Sequence, residues 1–79
     1  MSIKLYSTPS CGYCKLAKSF LRERGVQFTE YDVSVDQRRA EEMLAKSRQQ
    51  GVPVLDINGS VVIGFDKPRI ENLLQRIKK

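Results

Sequence analysis

The chain has 79 residues, 41% of them hydrophobic and 29% charged, with a formal net charge of +5. A chain this short buries about 60% of the surface it exposes when unfolded, enough for one core and one domain over residues 1–79, with a site on its rim. Two cysteines and no histidine exclude a multi-bridge disulfide framework, a Cys/His nucleophile pair and any zinc site built on imidazole.

Ile3–Ser7 is short and apolar, and Thr8-Pro9-Ser10 breaks it, so it reads as a strand entering a turn. Over residues 11–24 the apolar Cys14, Ala17 and Leu21, with Leu16 and Phe20 beside them, recur at helical spacing, and Gly25 suits the helix end. Residues 26–33 hold Val26, Phe28, Thr29, Tyr31 and Val33, all good strand formers. Asp36 is expected to cap a helix with Ala40, Met43, Leu44 and Ser47 on one face, closed by Gly51. Residues 52–57 read as a strand, Asn58-Gly59 as a type I′ hairpin turn, and residues 61–63 as the returning strand. Asp66 caps a last helix with Pro68 in its first turn and Ile70, Leu73, Leu74 and Ile77 along one stripe.

The order is thus β-α-β-α-β-β-α. Its first strand–helix–strand implies a parallel pair and its hairpin adds antiparallel strands, giving an α/β architecture with helices packed on a mixed sheet. Residues 1–6 lack a long apolar signal region, and no apolar run reaches the roughly 20 residues that cross a bilayer, so a cytoplasmic chain without a membrane partner is expected. The basic residues Lys15, Lys18, Arg22, Arg24, Arg38, Arg39, Lys78 and Lys79 are spread out, several beside Glu23, Glu41 or Glu42. They read as solvated surface that steers acidic partners, and no nucleic-acid partner is expected.

The strongest local signal is Cys11-Gly12-Tyr13-Cys14 at the junction of a strand and a helix. A thiolate is the nucleophile in thiol chemistry, and a helix start offers unpaired N–H groups and a positive dipole end that stabilise an anion. Cys11, at the mouth of the helix, is expected to attack, and Cys14, one turn in and facing the sheet, to resolve the mixed disulfide. Lys15 and Lys18 are candidates to add positive field. A buried structural pair is the plainer reading, but cysteine is seldom placed at such a turn for packing alone. A zinc knuckle would need two further ligands, so no metal is expected in one chain, while a metal site shared between two chains stays open.

Three segments, Tyr6-Ser7-Thr8-Pro9-Ser10-Cys11-Gly12-Tyr13-Cys14, Gly51-Val52-Pro53-Val54 and Gly64-Phe65-Asp66, together resemble the glutaredoxin family over nearly the whole chain. The resemblance implies a thioredoxin-like fold, a mixed four-stranded sheet packed by three helices. It also implies a monomeric thiol–disulfide oxidoreductase that reduces disulfide-containing or glutathionylated proteins, needs no bound cofactor and takes glutathione as co-substrate. By position, Cys11 would be the nucleophile and Cys14 the resolving thiol, with Gly12, Tyr13 and a cis Pro53 supporting them. Thr8, Tyr13, Val52, Pro53, Gly64, Phe65 and Asp66 would meet glutathione or a partner. Each has a plainer reading too: Pro53 as a strand-start proline, Tyr13 as surface, Asp66 as a helix cap.

The chain departs from the family pattern where glutaredoxins commonly carry lysine (here Thr8), threonine (Gly51), glycine (Ile63) and often proline (Gly12). Residues 64–68, Gly-Phe-Asp-Lys-Pro, are similar to the Gly-Phe-Arg-Pro stretch of the redoxins that serve ribonucleotide reductase. Those redoxins take electrons from thioredoxin reductase, which makes that reductase the alternative donor. A third reading, an iron–sulfur carrier sharing a cluster between two chains and two glutathiones, is kept open by Gly12.

Overall fold

The computed structural model describes residues 2–77. Met1, Lys78, Lys79 and the side chain of Ile77 lie outside the described residues, and with them the last apolar position expected on the final helix. The elements are β1 (Ile3–Ser7), α1 (Gly12–Glu23), β2 (Thr29–Asp32), α2 (Gln37–Ser47), β3 (Val54–Ile57), β4 (Ser60–Ile63) and α3 (Lys67–Ile77). The four strands form one sheet in the order β2-β1-β3-β4. β1 pairs parallel to β2 across α1, and antiparallel pairs join β1 to β3 and β3 to β4.

Alternation along the central strands divides the core in two, as period-two side chains must. Ile3, Leu5, Leu55, Ile57 and Val62 face α1 and α3, where they meet Ala17, Phe20, Leu21, Ile70 and Leu74. Tyr6 and Val54 face α2 and pack on Met43. Because β1 and β3 are covered on both sides, β3 is buried throughout and β1 at every position but Lys4, where a one-sided strand would alternate.

Several boundaries differ from the sequence reading. β2 covers only residues 29–32, and Val26 and Phe28 pack against the core from a loop. Pairing in β3 starts at Val54, opposite Tyr6, because Pro53 has no N–H to give a ladder. Gly51 does not end α2. Arg48 does, at φ 60°, its N–H bonded to the Leu44 carbonyl at 2.7 Å. Of the face expected on α2 only Met43 is buried, and Leu44 is 42% exposed; Leu16 on α1 is also exposed. The Asn58-Gly59 turn has positive φ at both residues, 52° and 97°, as a type I′ turn requires.

The register positions the site. Tyr6 lies opposite Val54, and Val54 opposite Ile63. The end of β1, the start of β3 and the end of β4 are therefore in line. The turn entering α1, the residues before β3 and the loop after β4 converge at one rim of the sheet.

Candidate active site

Cys11 is the N-cap of α1, with extended backbone (φ −87°, ψ 113°). Its sulfur accepts the Cys14 N–H at 3.1 Å, so it does the work that Ser, Thr, Asp or Asn does at other helix starts. No acidic residue occupies the first turn of α1, which leaves the positive end of the helix facing the sulfur alone. Cys11 is half-buried and Cys14 fully buried, and both thiols are free.

The two sulfurs have different surroundings. Burial pushes the Cys14 thiol up to about 12, and its hydrogen bond with Cys11, the charge on Cys11 and that on Glu30 add to the shift. Cys14 therefore stays protonated at neutral pH while Cys11 is free. Once Cys11 is tied in a mixed disulfide it carries no charge, that part of the upward push is gone, and attack by Cys14 becomes easier. The geometry thus supports a sequence in which Cys11 acts first and Cys14 second.

Around Cys11 the predicted residues are brought together. The Thr8 carbonyl accepts the Cys11 N–H at 3.3 Å, and the Cys11 thiol reaches the Val52 carbonyl at 3.8 Å. The Val52–Pro53 peptide is cis, and Pro53 is buried. The Pro53 carbonyl accepts the N–H of Gly64, at 2.8 Å, which ties the loop after β4 to the segment before β3. Gly64 has φ +79°, a conformation that suits glycine. Phe65 anchors that loop, its ring edge-on to Phe20 at 6.0 Å. Asp66 accepts the Arg69 N–H at 3.4 Å, as a cap does, and its side chain is exposed on the same rim. Tyr13, 65% exposed, forms with Gly12 and Leu16 a shallow apolar depression near the start of α1. A Cβ at Gly12 would meet no other atom, so nothing in the backbone requires glycine there.

Two groups near the site were not foreseen. Glu30, on β2, accepts from the Ser7 hydroxyl at 2.7 Å and pairs with Lys18 at 3.0 Å. Burial acts to raise the Glu30 carboxyl, but these two bonds outweigh it and hold it below its ordinary range. Lys18 is therefore engaged by Glu30, and Cys14 borders the same cavity of about 330 Å³. The second group is Gln49, whose side-chain amide donates to the Gly51 carbonyl at 2.9 Å and accepts the Gly51 N–H at 2.6 Å. A Cβ on Gly51 would come within 2.8 Å of that amide oxygen, so the glycine makes room for a clamp on the residue before Val52. Glycine in place of the family's threonine was the one visible signal of it.

Residues 3–62 match the Glutaredoxin family. An uncharacterized glutaredoxin-like 8.6 kDa protein in the rubredoxin operon of Clostridium pasteurianum is 40% identical over 74 residues, 94% of this chain and 99% of that protein. Glutaredoxin 3 of Escherichia coli strain K12 is 31% identical over 65 residues, 82% of this chain and 78% of that one. Among solved structures, the glutaredoxin-like NrdH-redoxin of Escherichia coli, described as having a thioredoxin-like activity profile, superposes with a TM-score of 0.83. The match is 26% identical and covers 92% of this chain and 95% of that one.

Proposed function

This chain belongs to the glutaredoxin family of thiol–disulfide oxidoreductases, and we propose that it reduces protein disulfides and glutathione mixed disulfides through Cys11 and Cys14. The observation that carries this reading is the Cys14 N–H directed at the sulfur of Cys11, with the Cys14 thiol buried behind it. In the reaction the Cys11 sulfur bonds to one sulfur of the substrate disulfide, and the other leaves as a thiol. The Cys14 sulfur then bonds to Cys11 and releases the second substrate thiol. The protein dithiol loses two electrons, which the substrate disulfide gains. None of these steps calls for a bound cofactor.

Val52 and Pro53 beside Cys11, with Tyr13 and residues 64–66 around them, are the proposed contact surface for glutathione or a protein partner. An extended substrate segment would pair with the backbone of Val52 as a short added strand. A monomer working in the cytoplasm suits this chemistry, because a reducing compartment keeps the pair available as a dithiol.

Two electron donors are compatible with this surface. Similarity to glutaredoxin 3 supports glutathione. Similarity to the NrdH-redoxin supports a reductase of the thioredoxin type, and with it the second reading, electron donation to ribonucleotide reductase. The oxidised protein is offered NADPH, glutathione reductase and glutathione in one cuvette, and NADPH with thioredoxin reductase in the other. Rapid reduction only in the first supports the glutathione reading. Rapid reduction only in the second makes residues 64–68 partner surface, and reduction in neither contradicts both.

A further inference from the structure

Val52, whose carbonyl faces the Cys11 sulfur, also walls a groove of about 410 Å³ that runs away from the nucleophile toward α2. Val33, Ala40, Met43 and Leu44 form the rest of its apolar wall, and Thr8 borders the end near Cys11. Leu44 is 42% exposed.

The lining of the groove carries charge of one sign. Among the lining residues only Glu41 carries a formal charge, and its carboxylate already accepts the Gln37 amide at 3.4 Å. The start of α2, where an external anion would otherwise be favoured, is capped by the chain's own Asp36, which accepts the Arg39 N–H at 3.2 Å. Arg38 is not among the lining residues, and two other cations of the helix are engaged elsewhere. Arg39 stacks on Tyr31 at 4.0 Å and pairs with Glu42, and Lys46 pairs with Asp56. An anionic group in this groove would meet Glu41 and lose water without gaining a cation from the lining.

We propose that this groove receives an uncharged apolar side chain flanking the disulfide cysteine of an extended polypeptide substrate, and that it selects against acidic residues at that place. The inference rests on the reading of Cys11 as the attacking thiol and names the substrate class that the same site prefers. A substrate chain whose sulfur is joined to Cys11 passes Val52, and its neighbouring side chain then has the groove within reach.

The test is a single-turnover reaction of the reduced protein with disulfide-linked dimers of acetyl-Leu-Cys-Leu-amide and acetyl-Asp-Cys-Asp-amide. Each rate is divided by the rate of dithiothreitol on the same dimer, which removes differences in intrinsic reactivity. The leucine dimer is expected to react on the order of tenfold faster than the aspartate dimer, the size of effect that pocket contacts give. Leu44→Glu, a change at a partly exposed position, should erase that preference and leave the rate on bis(2-hydroxyethyl) disulfide unchanged. Glu41→Lys should narrow it by speeding the aspartate dimer. A wild-type ratio near one, or a ratio that survives Leu44→Glu, would each overturn the groove assignment. In those cases the Cys11 reading stands if bis(2-hydroxyethyl) disulfide is reduced by the wild type and not by Cys11→Ser. If the wild type leaves even that small disulfide intact, both readings fall.

Discussion

Cys11 and Cys14 are three residues apart and share one helical turn, yet one is an N-cap at the rim and the other is buried under the sheet. That asymmetry was legible in the sequence because it is local: a Cys-x-x-Cys pair at the end of a strand and the start of a helix fixes which thiol faces out. Glu30 was not legible, because only the parallel register that sets Leu5 opposite Glu30 brings the carboxylate near Ser7 and Lys18. The roles assigned to the thiols predict unequal losses. Cys11→Ser is expected to abolish activity on every disulfide substrate. Cys14→Ser is expected to keep some turnover of glutathionylated small substrates, since a second thiol can release the product, while losing reduction of protein disulfides. Parallel assays on both substrate types check this, and equal loss in the Cys14 variant would show that Cys14 does more than resolve.

At the scale of elements, the helices formed where their periodicity placed them, while the buried face of α2 and the helix ends depended on packing and backbone geometry that composition does not reveal. α1 ends where Gly25 adopts φ +70° and donates to Arg22 at 3.0 Å, as the glycine suggested. α2 ends at Arg48, a side chain in the left-handed region, three residues before the glycine that had seemed the natural stop. Left-handed backbone costs about 1–2 kcal/mol for a residue with a Cβ, part of which glycine's greater freedom in the unfolded chain offsets. Arg48→Gly is therefore expected to stabilise the protein by about 0.5 kcal/mol, a rise of about 3 °C in Tm by calorimetry. A fall in Tm would mean that the arginine side chain contributes more than its backbone costs. The short β2 has a related cause: Val26 and Phe28 satisfy the core from a loop, so strand propensity there is overridden by packing.

For the molecule as a whole, the face of the sheet under α2 is joined by charge as much as by apolar contact. Lys46 donates to the Asp56 carboxylate at 2.5 Å and to the Tyr6 hydroxyl at 3.1 Å, and the Tyr6 hydroxyl in turn donates to Glu42. Asp56 also accepts the Gly59 N–H at 2.8 Å, which couples the hairpin turn to α2. Nothing local in the sequence pointed to Lys46 as the partner of Asp56. Burial acts to raise Asp56, but Lys46 and the turn outweigh it and hold it low; the Tyr6 hydrogen bond holds Glu42 low. A folded value below the unfolded one means stability that is present above about pH 4.5 and lost as pH falls through the depressed values. Burial opposes the Lys46 charge, but Asp56 and Tyr6 raise it overall, so its contribution is present below about pH 10 and lost at higher pH. Lys46→Met leaves a nearly buried carboxylate unpaired and is expected to cost about 2 kcal/mol at pH 7. The difference from wild type should shrink toward pH 3, as the carboxylate that the variant leaves unpaired takes up a proton. Urea midpoints at the two pH values check this, and a gap that does not narrow would remove the ion pair from the explanation.

The division of labour between the two thiols is tested most directly by alkylating the reduced protein with iodoacetamide at pH 7 and following each cysteine by peptide mass spectrometry. With its thiol pushed up to about 12, Cys14 holds only about one part in 10⁵ as thiolate at that pH. Label is expected on Cys11 first, with Cys14 unmodified until the protein is denatured. Labelling of Cys14 as fast as Cys11, or ahead of it, would contradict the account.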